Sequence, residues 1–487
     1  MGKYLKMLLS SLLVFAGMTN GFAQKPDRSA PPELGPVASL NLPPLQQFVL
    51  KNGIQVYLME KHNVPLVQVN LHIGCGSVND PADKLGLASL TMDLLNEGAA
   101  GKDALALSDA IDFLGANLST SAGLHSSEVS LNTPVSKMGA ALALMADVTL
   151  RPDFPENELK RIVKQRLNGL VQNHDQPGTI ATHMFNKTIF GETHPYGRST
   201  SGDEKSLRSV KINDLTDFYK NNLIANNAVF IVVGDVTQKQ LLPLLEKNFS
   251  AWKKGTLNKV EVPTAQQVEK RTIFLVDKPG SAQSVLRIGH VGVKRKTADY
   301  FALRVMNTIL GGSFAARLNS NLREDKGYTY GAGSQWDYRP TEGRFLAYSN
   351  VQTDVTDKAI VEFMKEFKSI HQPIPADELQ RGKNYDALGY PGNFETNAAI
   401  AGAIHNMIFY GLPADYFNVY VENILKVPAM DVAKVAQKYV LPEQMAIVIV
   451  GDREKIEPGL KALNLGEIKH FSIEDVLGKL PDLSDLN

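Results

Sequence analysis

NTILGGSFAARLNSNLREDKGYTYGAGS (Asn307–Ser334) contains more position-specific chemistry than any other window of this 487-residue chain. Its first residues end an apolar helical run at a Gly-Gly pair, where the backbone can turn without obstruction by side chains. A second helical run over 315–324 carries Arg323 near its C-terminal end, and Gly327 ends that run. The next residues are aromatic and β-branched, so they predict a strand that includes Tyr330. A helix-to-strand turn of this kind can bring a guanidinium and a phenol to one point.

These two side chains admit two interpretations. Arg323 could interact with the helix C-terminus or with a surface carboxylate, while Tyr330 packs in a core, and both arrangements are ordinary. Alternatively, the guanidinium could clamp a carboxylate or carbonyl, and the phenol could donate a hydrogen bond to a developing oxyanion. Residue types alone leave both interpretations open.

The segment LNSNLREDKGYTYGA resembles the arginine/tyrosine motif in the C-terminal half of the pitrilysin–insulinase family of zinc peptidases, the inverzincins. In that family the arginine and the tyrosine help bind substrate and stabilise the tetrahedral intermediate. The resemblance assigns these roles to Arg323 and Tyr330, and it covers nearly the whole chain apart from the N-terminal residues.

The zinc-binding positions of that family are changed here. Catalytic members read Gly-Leu-Ala-His-x-x-Glu-His, where two histidines bind zinc and the glutamate is the general base. In this chain Gly-Leu-Ala is followed by Ser89 and Asp93 at the histidine positions and by Met92 at the glutamate position. The family places its third ligand on a long helix, and the corresponding predicted helix over 155–174 has no carboxylate after Glu158. The sequence therefore predicts that this chain binds no zinc.

Composition and charge restrict the class of protein further. The chain has 51 basic and 51 acidic residues and no basic cluster with interleaved aromatic residues, which argues against a nucleic-acid partner. Its 44% hydrophobic and 21% charged residues are typical of a globular protein, and its length favours two to four domains. Because Cys75 is the only cysteine, no intrachain disulfide can form.

The N-terminus predicts export. Lys3 and Lys6 precede an apolar run over 7–18 and small residues suited to cleavage, which indicates a signal peptide over 1–23. An uncleaved membrane anchor is the alternative, but the run is shorter than the roughly 20 residues that span a bilayer. Proline-rich residues 24–44 predict an extended tether. A bacterial periplasm is the expected location, without stable membrane insertion after cleavage.

The remaining chain falls into two similar halves. NAVFIVVGD, ending at Asp235, and MAIVIVGD, ending at Asp452, are both buried-strand runs stopped by Gly-Asp. LASLTMDLLNEG matches FALRVMNTILGG at nearly the same separation, so we predict a duplicated domain of about 200 residues. The predicted N-terminal domain is 45–252, the polar linker is 253–270, and the C-terminal domain is 271–487.

The order of elements predicts an α+β fold in which helices cover a mixed, largely antiparallel sheet in each domain. The resemblance implies that two such domains form half of a clam-shell. It also places Ser119–Ser121 at a sheet edge, where unfolded peptides add a strand. For the first half we predict a hairpin over 48–61, a strand over 64–77, helices over 85–97 and 104–115, strands near 117–133, helices over 134–149 and 155–174, and a strand over 227–234.

Two functions from different classes fit these features. The chain could be the zinc-less subunit of a heterodimeric zinc peptidase, inactive alone, with zinc and the His-x-x-Glu-His helix in a homologous partner. It would then supply Arg323 and Tyr330 to bind an unfolded peptide and to stabilise the oxyanion. Alternatively, it could be a scaffold or peptide-binding protein with no part in hydrolysis. A pure scaffold has no need of the arginine/tyrosine spacing, so the sequence favours the subunit.

Overall fold

The computed structural model of the chain describes residues 40–257 and 259–484. The predicted signal peptide (1–23) and most of the predicted tether (24–44) lie outside the described residues. Among the residues that are described, no helix combines the length and the apolar character needed to cross a membrane.

In the described part of the chain, the strands form two six-stranded sheets and one two-residue ladder between Gly98–Ala99 and Lys102–Asp103. The first sheet consists of β1 (Leu45–Val49), β2 (Gln55–Glu60), β3 (Leu66–Ile73), β4 (Asn117–Ala122), β5 (Ser127–Pro134) and β6 (Ala228–Gly234). The second consists of β7 (Thr272–Asp277), β8 (Gln283–Val291), β9 (Thr329–Asp337), β10 (Arg344–Gln352), β11 (Ala446–Gly451) and β12 (Glu467–Phe471).

The two sheets share one arrangement of five strands. The first has the order β1-β2-β6-β3-β5-β4 and the second β12-β7-β11-β8-β10-β9. In each, one parallel pair (β2 with β6, β7 with β11) is followed by antiparallel neighbours. Only the outermost strand beside that pair differs, because β1 joins antiparallel and β12 joins parallel. The predicted α+β class with two sheet-plus-helix domains is therefore confirmed.

The helices of the first half are α1 (Leu87–Leu95), α2 (Ala104–Phe113), α3 (Met138–Leu150), α4 (Glu156–Asn173), α5 (Pro177–Phe190), α6 (Glu204–Ser209), α7 (Ile212–Asn222) and α8 (Gln238–Phe249). Those of the second half are α9 (Tyr300–Leu310), α10 (Arg317–Asn319), α11 (Thr356–Ser369), α12 (Ala376–Gly389), α13 (Asn397–Phe409), α14 (Tyr416–Lys426), α15 (Ala429–Tyr439), α16 (Arg453–Ala462) and α17 (Ile473–Leu477). The predicted first-half elements are present, with ends that differ by a few residues.

Side-chain alternation explains the core of the first half. Along β3, Val67, Val69 and Leu71 point into an apolar core against the helices of the same half, as the two-residue period of a strand requires. The hairpin between β1 and β2 turns through Gly53, whose φ of +89° favours glycine. Both faces of β11 are covered, so it is buried at every residue, and β3 is likewise buried from Val67 to Ile73.

Each half lends a helix to the sheet of the other half. Helix α5 packs on β8 and β11 of the second sheet and places Phe185 in a core with Val285 and Val448. Helix α13 packs on β3 and β6 of the first sheet, where the His405 ring stacks on the His72 ring at 3.7 Å between centroids. The two halves therefore share cores. Residues 253–270, the predicted linker, contain neither helix nor strand among their described members.

Candidate functional site

The glycine pair after α9 allows a close approach between that helix and strand β9. A Cβ atom on Gly311 would lie 2.4 Å from the backbone nitrogen of Ser334, and one on Gly312 would lie 2.7 Å from Nδ2 of Asn307. With glycine at both positions, the Ser334 N–H donates to the Gly311 carbonyl (3.0 Å), and Asn307 Nδ2 donates to the Ser334 carbonyl (3.0 Å). These contacts fix the start of the segment that carries Arg323 and Tyr330.

Arg323 lies in a π-helix, not in a continuous α-helix. The predicted run over 315–324 is a short α10 followed by a π-helical segment, Ser320–Asp325. The prediction was wrong in this detail because the wider turn depends on tertiary contacts. The Asn321 side chain donates to Glu362 (2.9 Å) and Glu366 (2.7 Å) on α11. π-Helical segments are frequent at functional sites.

The guanidinium of Arg323 is accessible. Its Cζ atom lies 4.7 Å from the centre of the Phe314 ring, and its Nε lies 3.3 Å from Oε1 of Glu324. The terminal nitrogens Nη1 and Nη2 form no hydrogen bond with the described part of the chain. Both are therefore available to a carbonyl or carboxylate from another molecule.

Tyr330 projects from the edge of the second sheet. Strand β9 is an edge strand, and its pairing with β10 is irregular between Thr329 and Ala332. Thr329 Oγ1 donates to the Asn350 carbonyl (2.7 Å), and Ser349 Oγ donates to the Gly331 carbonyl (2.9 Å), so hydroxyls hold this bulge in place. Bulges re-aim side chains, and the Tyr330 residue is 90% exposed. The interpretation of Tyr330 as a core tyrosine is therefore wrong.

Ser89 and Asp93, at the positions where catalytic members of the family have zinc-binding histidines, are both contacted by an arginine. The guanidinium of Arg166, on α4, donates to Asp93 Oδ2 (2.6 Å) and to Ser89 Oγ (2.8 Å), both on α1, and to the Ser201 carbonyl (3.1 Å). Met92 is buried in the first core. These residues do not fit zinc, because the positively charged guanidinium of Arg166 occupies the space between the two helices. Among residues 40–257 and 259–484, no cluster of three or more histidine, cysteine or carboxylate side chains could hold a metal ion.

A buried carboxylate fixes the start of α1. Asp80 accepts hydrogen bonds from the backbone N–H groups of Gly86 (2.9 Å) and Ala88 (2.8 Å). Burial raises the pKa of Asp80 to about 7, and these N–H groups and the charge of Arg166 oppose that rise. Negative charge at a helix N-terminus is stabilising. The degenerate metal site is thus held by hydrogen bonds at the helix start and across to α4.

We expect Arg166→Met to lower the free energy of unfolding by about 1–3 kcal/mol, because Asp93 and Ser89 lose their donor in a partly buried site. The Arg166 side chain is only 15% exposed. Urea denaturation followed by circular dichroism measures the effect. Lys160→Met, on the same helix, is the control because its ion pair with Glu156 is exposed and contributes little. Equal midpoints for the two variants would contradict the bridging role of Arg166.

Sequence reasoning located Ser89, Met92 and Asp93 but missed Arg166. A non-local signal was present, because Asp93 stands where the family has a zinc ligand and the helix expected opposite it has basic residues but no carboxylate after Glu158. The predicted edge position of Ser119–Ser121 agrees with the structure, because β4 ends the order of the first sheet.

Two family models match the chain. The model described as insulinase (peptidase family M16) matches residues 55–204, and the one described as peptidase M16 inactive domain matches residues 209–385. A relative called non-peptidase homolog YmxG, from Helicobacter pylori, is 21% identical over 84% of this chain and 94% of its own length. The uncharacterized zinc protease YmxG of Bacillus subtilis is 24% identical over 70% of this chain and 82% of its own.

A crystal structure of a peptidase M16 inactive domain from Pseudomonas fluorescens superposes with a TM-score of 0.79 at 28% identity, covering 84% of this chain and 98% of that one. A Helicobacter pylori protease structure gives a TM-score of 0.74 at 21% identity, covering 84% of this chain and all of that one, which shows the shared fold. Taken with the changed residues on α1, these matches show that the chain belongs to the insulinase (M16) peptidase family as a zinc-less member.

Proposed function

We propose that this chain is the non-catalytic subunit of a two-chain zinc peptidase. The observation that carries the proposal is an accessible arginine and an accessible tyrosine on one segment, whose bulge is held by side-chain hydrogen bonds. The terminal nitrogens of Arg323 form no hydrogen bond within residues 40–257 and 259–484, and Tyr330 projects from the sheet edge. In the same chain, Arg166 bridges Ser89 and Asp93, at the positions where catalytic members of the family bind zinc. The pair is therefore suited to act on a molecule bound in a partner.

The chemistry follows from these two groups. The homologous partner supplies the His-x-x-Glu-His helix and the zinc. The Tyr330 hydroxyl donates a hydrogen bond to the oxyanion that forms on the peptide carbonyl. The Arg323 guanidinium holds a neighbouring carbonyl or carboxylate of the substrate through two parallel N–H groups. An unfolded peptide is the suitable substrate, since main-chain groups at a sheet edge such as β4 can pair with an extended strand.

The location is part of the proposal. The basic and apolar pattern of residues 1–23 supports export to a bacterial periplasm, where an extended tether would precede the folded domains. N-terminal sequencing of the protein recovered from the periplasmic fraction would begin at Gln24 if the leader is cleaved as expected.

The test is reconstitution with a homologue that carries the His-x-x-Glu-His helix. We expect this chain alone to cleave no unstructured peptide and to retain no zinc after dialysis against a weak chelator. The mixture should elute as one complex in size-exclusion chromatography and cleave the peptide faster than the partner alone, in a chelator-sensitive reaction. A partner whose rate does not change when the complex forms would favour the scaffold function instead.

A further inference from the structure

Phe314 is an exposed aromatic residue beside Arg323 in the candidate site. It lies in the loop between α9 and α10, and 65% of its surface is exposed. A single exposed apolar residue is ordinary on a protein surface, so a role for this ring depends on what the ring contacts. The ring contacts the guanidinium of Arg323, whose Cζ lies 4.7 Å from the ring centre. This distance is within the range of about 6 Å for a cation–π interaction.

The backbone beside the ring is held by a buried amide. Asn319 Nδ2 donates to the Phe314 carbonyl (2.8 Å), and Asn319 Oδ1 accepts from the backbone N–H of Ala332 (3.2 Å). Ala332 follows the bulge that carries Tyr330. In addition, Ser313 Oγ donates to the carbonyl of Thr308 in α9 (3.0 Å). One side chain therefore ties the Phe314 loop to the strand of Tyr330.

We propose that Phe314 is a positioning residue that holds the guanidinium of Arg323 ready for substrate. This inference rests on the proposed function of the arginine. The ring lies beside the guanidinium, and Nη1 and Nη2 form no hydrogen bond with the described residues. The ion pair with Glu324 is exposed and constrains the side chain little. An arginine without the ring would lose more rotamer freedom on binding, so substrate affinity would fall and the chemical step would not change.

Steady-state cleavage by the reconstituted pair tests this role. We expect Phe314→Leu, which keeps apolar bulk but removes the ring face, to raise KM about three- to fivefold, in line with an exposed cation–π contact. The kcat value should stay unchanged, and Phe314→Trp should restore KM. In a double-mutant cycle, Phe314→Leu should add nothing to Arg323→Ala. A separate effect of Phe314→Leu in the Arg323→Ala background would overturn the inference.

A second measurement does not depend on activity. In the isolated chain with ¹⁵N-labelled arginine, the Arg323 Nε–H resonance, assigned by its loss in Arg323→Lys, should show a ring-current shift. That shift should disappear in Phe314→Leu and remain in Phe314→Trp. If Arg323→Ala leaves cleavage unchanged, the proposed function fails, and the inference fails with it. If Arg323→Ala lowers activity while Phe314→Leu changes neither KM nor the resonance, only the positioning role is overturned.

Discussion

Tyr330→Phe is expected to lower the turnover of the reconstituted pair by about 10²–10³, equivalent to roughly 3–4 kcal/mol, because one donor to the oxyanion is lost. Folding and pairing should be unaffected. The hydroxyl makes no hydrogen bond with the described part of the chain, and the residue is 90% exposed. Removing an oxygen from such a position leaves no buried group without a partner. Steady-state cleavage of an unstructured peptide, with co-elution of the two chains, measures the effect.

Tyr385→Phe is the matched control for that result. Tyr385 is also an exposed tyrosine, on α12, and its hydroxyl likewise forms no hydrogen bond within the described residues. We expect its loss to change neither rate nor pairing. Arg323→Ala should lower activity as Tyr330→Phe does, with a larger share of the effect on KM because the guanidinium grips the peptide. Equal rates for wild type and Tyr330→Phe would leave the scaffold function as the better account.

Local patterns in the sequence predicted most of the fold. Three of these patterns involve only neighbouring residues, so they are visible in the sequence: the alternation of apolar and polar residues in β3, the Gly-Asp ends of β6 and β11, and the glycine pair after α9. The exchange of α5 and α13 could not be predicted in this way. The apolar face of an amphipathic helix indicates that a sheet covers it, but it does not indicate which of two similar sheets does so.

The candidate site was predicted only in part, because some of its features are local in the sequence and others depend on contacts between distant elements. The arginine and the tyrosine belong to one short motif, and the loss of zinc ligands is visible at three positions of one helix. The Arg166 contact joins two helices that are distant in sequence, so no local pattern reports it. The π-helix depends on Asn321 reaching two carboxylates of α11. The contact of Phe314 with Arg323 joins the loop after α9 to that π-helical segment.

Arg304→Met is expected to lower the free energy of unfolding by about 3 kcal/mol, because it leaves a buried carboxylate without its cation. On α9, Arg304 donates through Nε (2.9 Å) and places Nη2 at 2.8 Å from Oδ1 of Asp386 on α12. Thr308 donates to the other oxygen (2.7 Å), and the Asp386 side chain is only 1% exposed. Because α9 leads directly into the glycine pair, this ion pair fixes the helix from which the segment with Arg323 and Tyr330 begins. Urea denaturation measures the change.

Arg381→Met is the control, since Arg381 pairs on α12 with Asp377 where both side chains are mostly exposed, and exposed pairs contribute at most about 1 kcal/mol. The cost of Arg304→Met should also depend on pH. Burial raises the pKa of Asp386, and without the arginine that pKa rises further, so acidification protonates the carboxyl and removes the unpaired charge. The difference in stability between wild type and variant should therefore narrow as the pH falls from neutral. A difference that stays constant with pH, or one no larger than that of Arg381→Met, would show that the ion pair does not anchor α9.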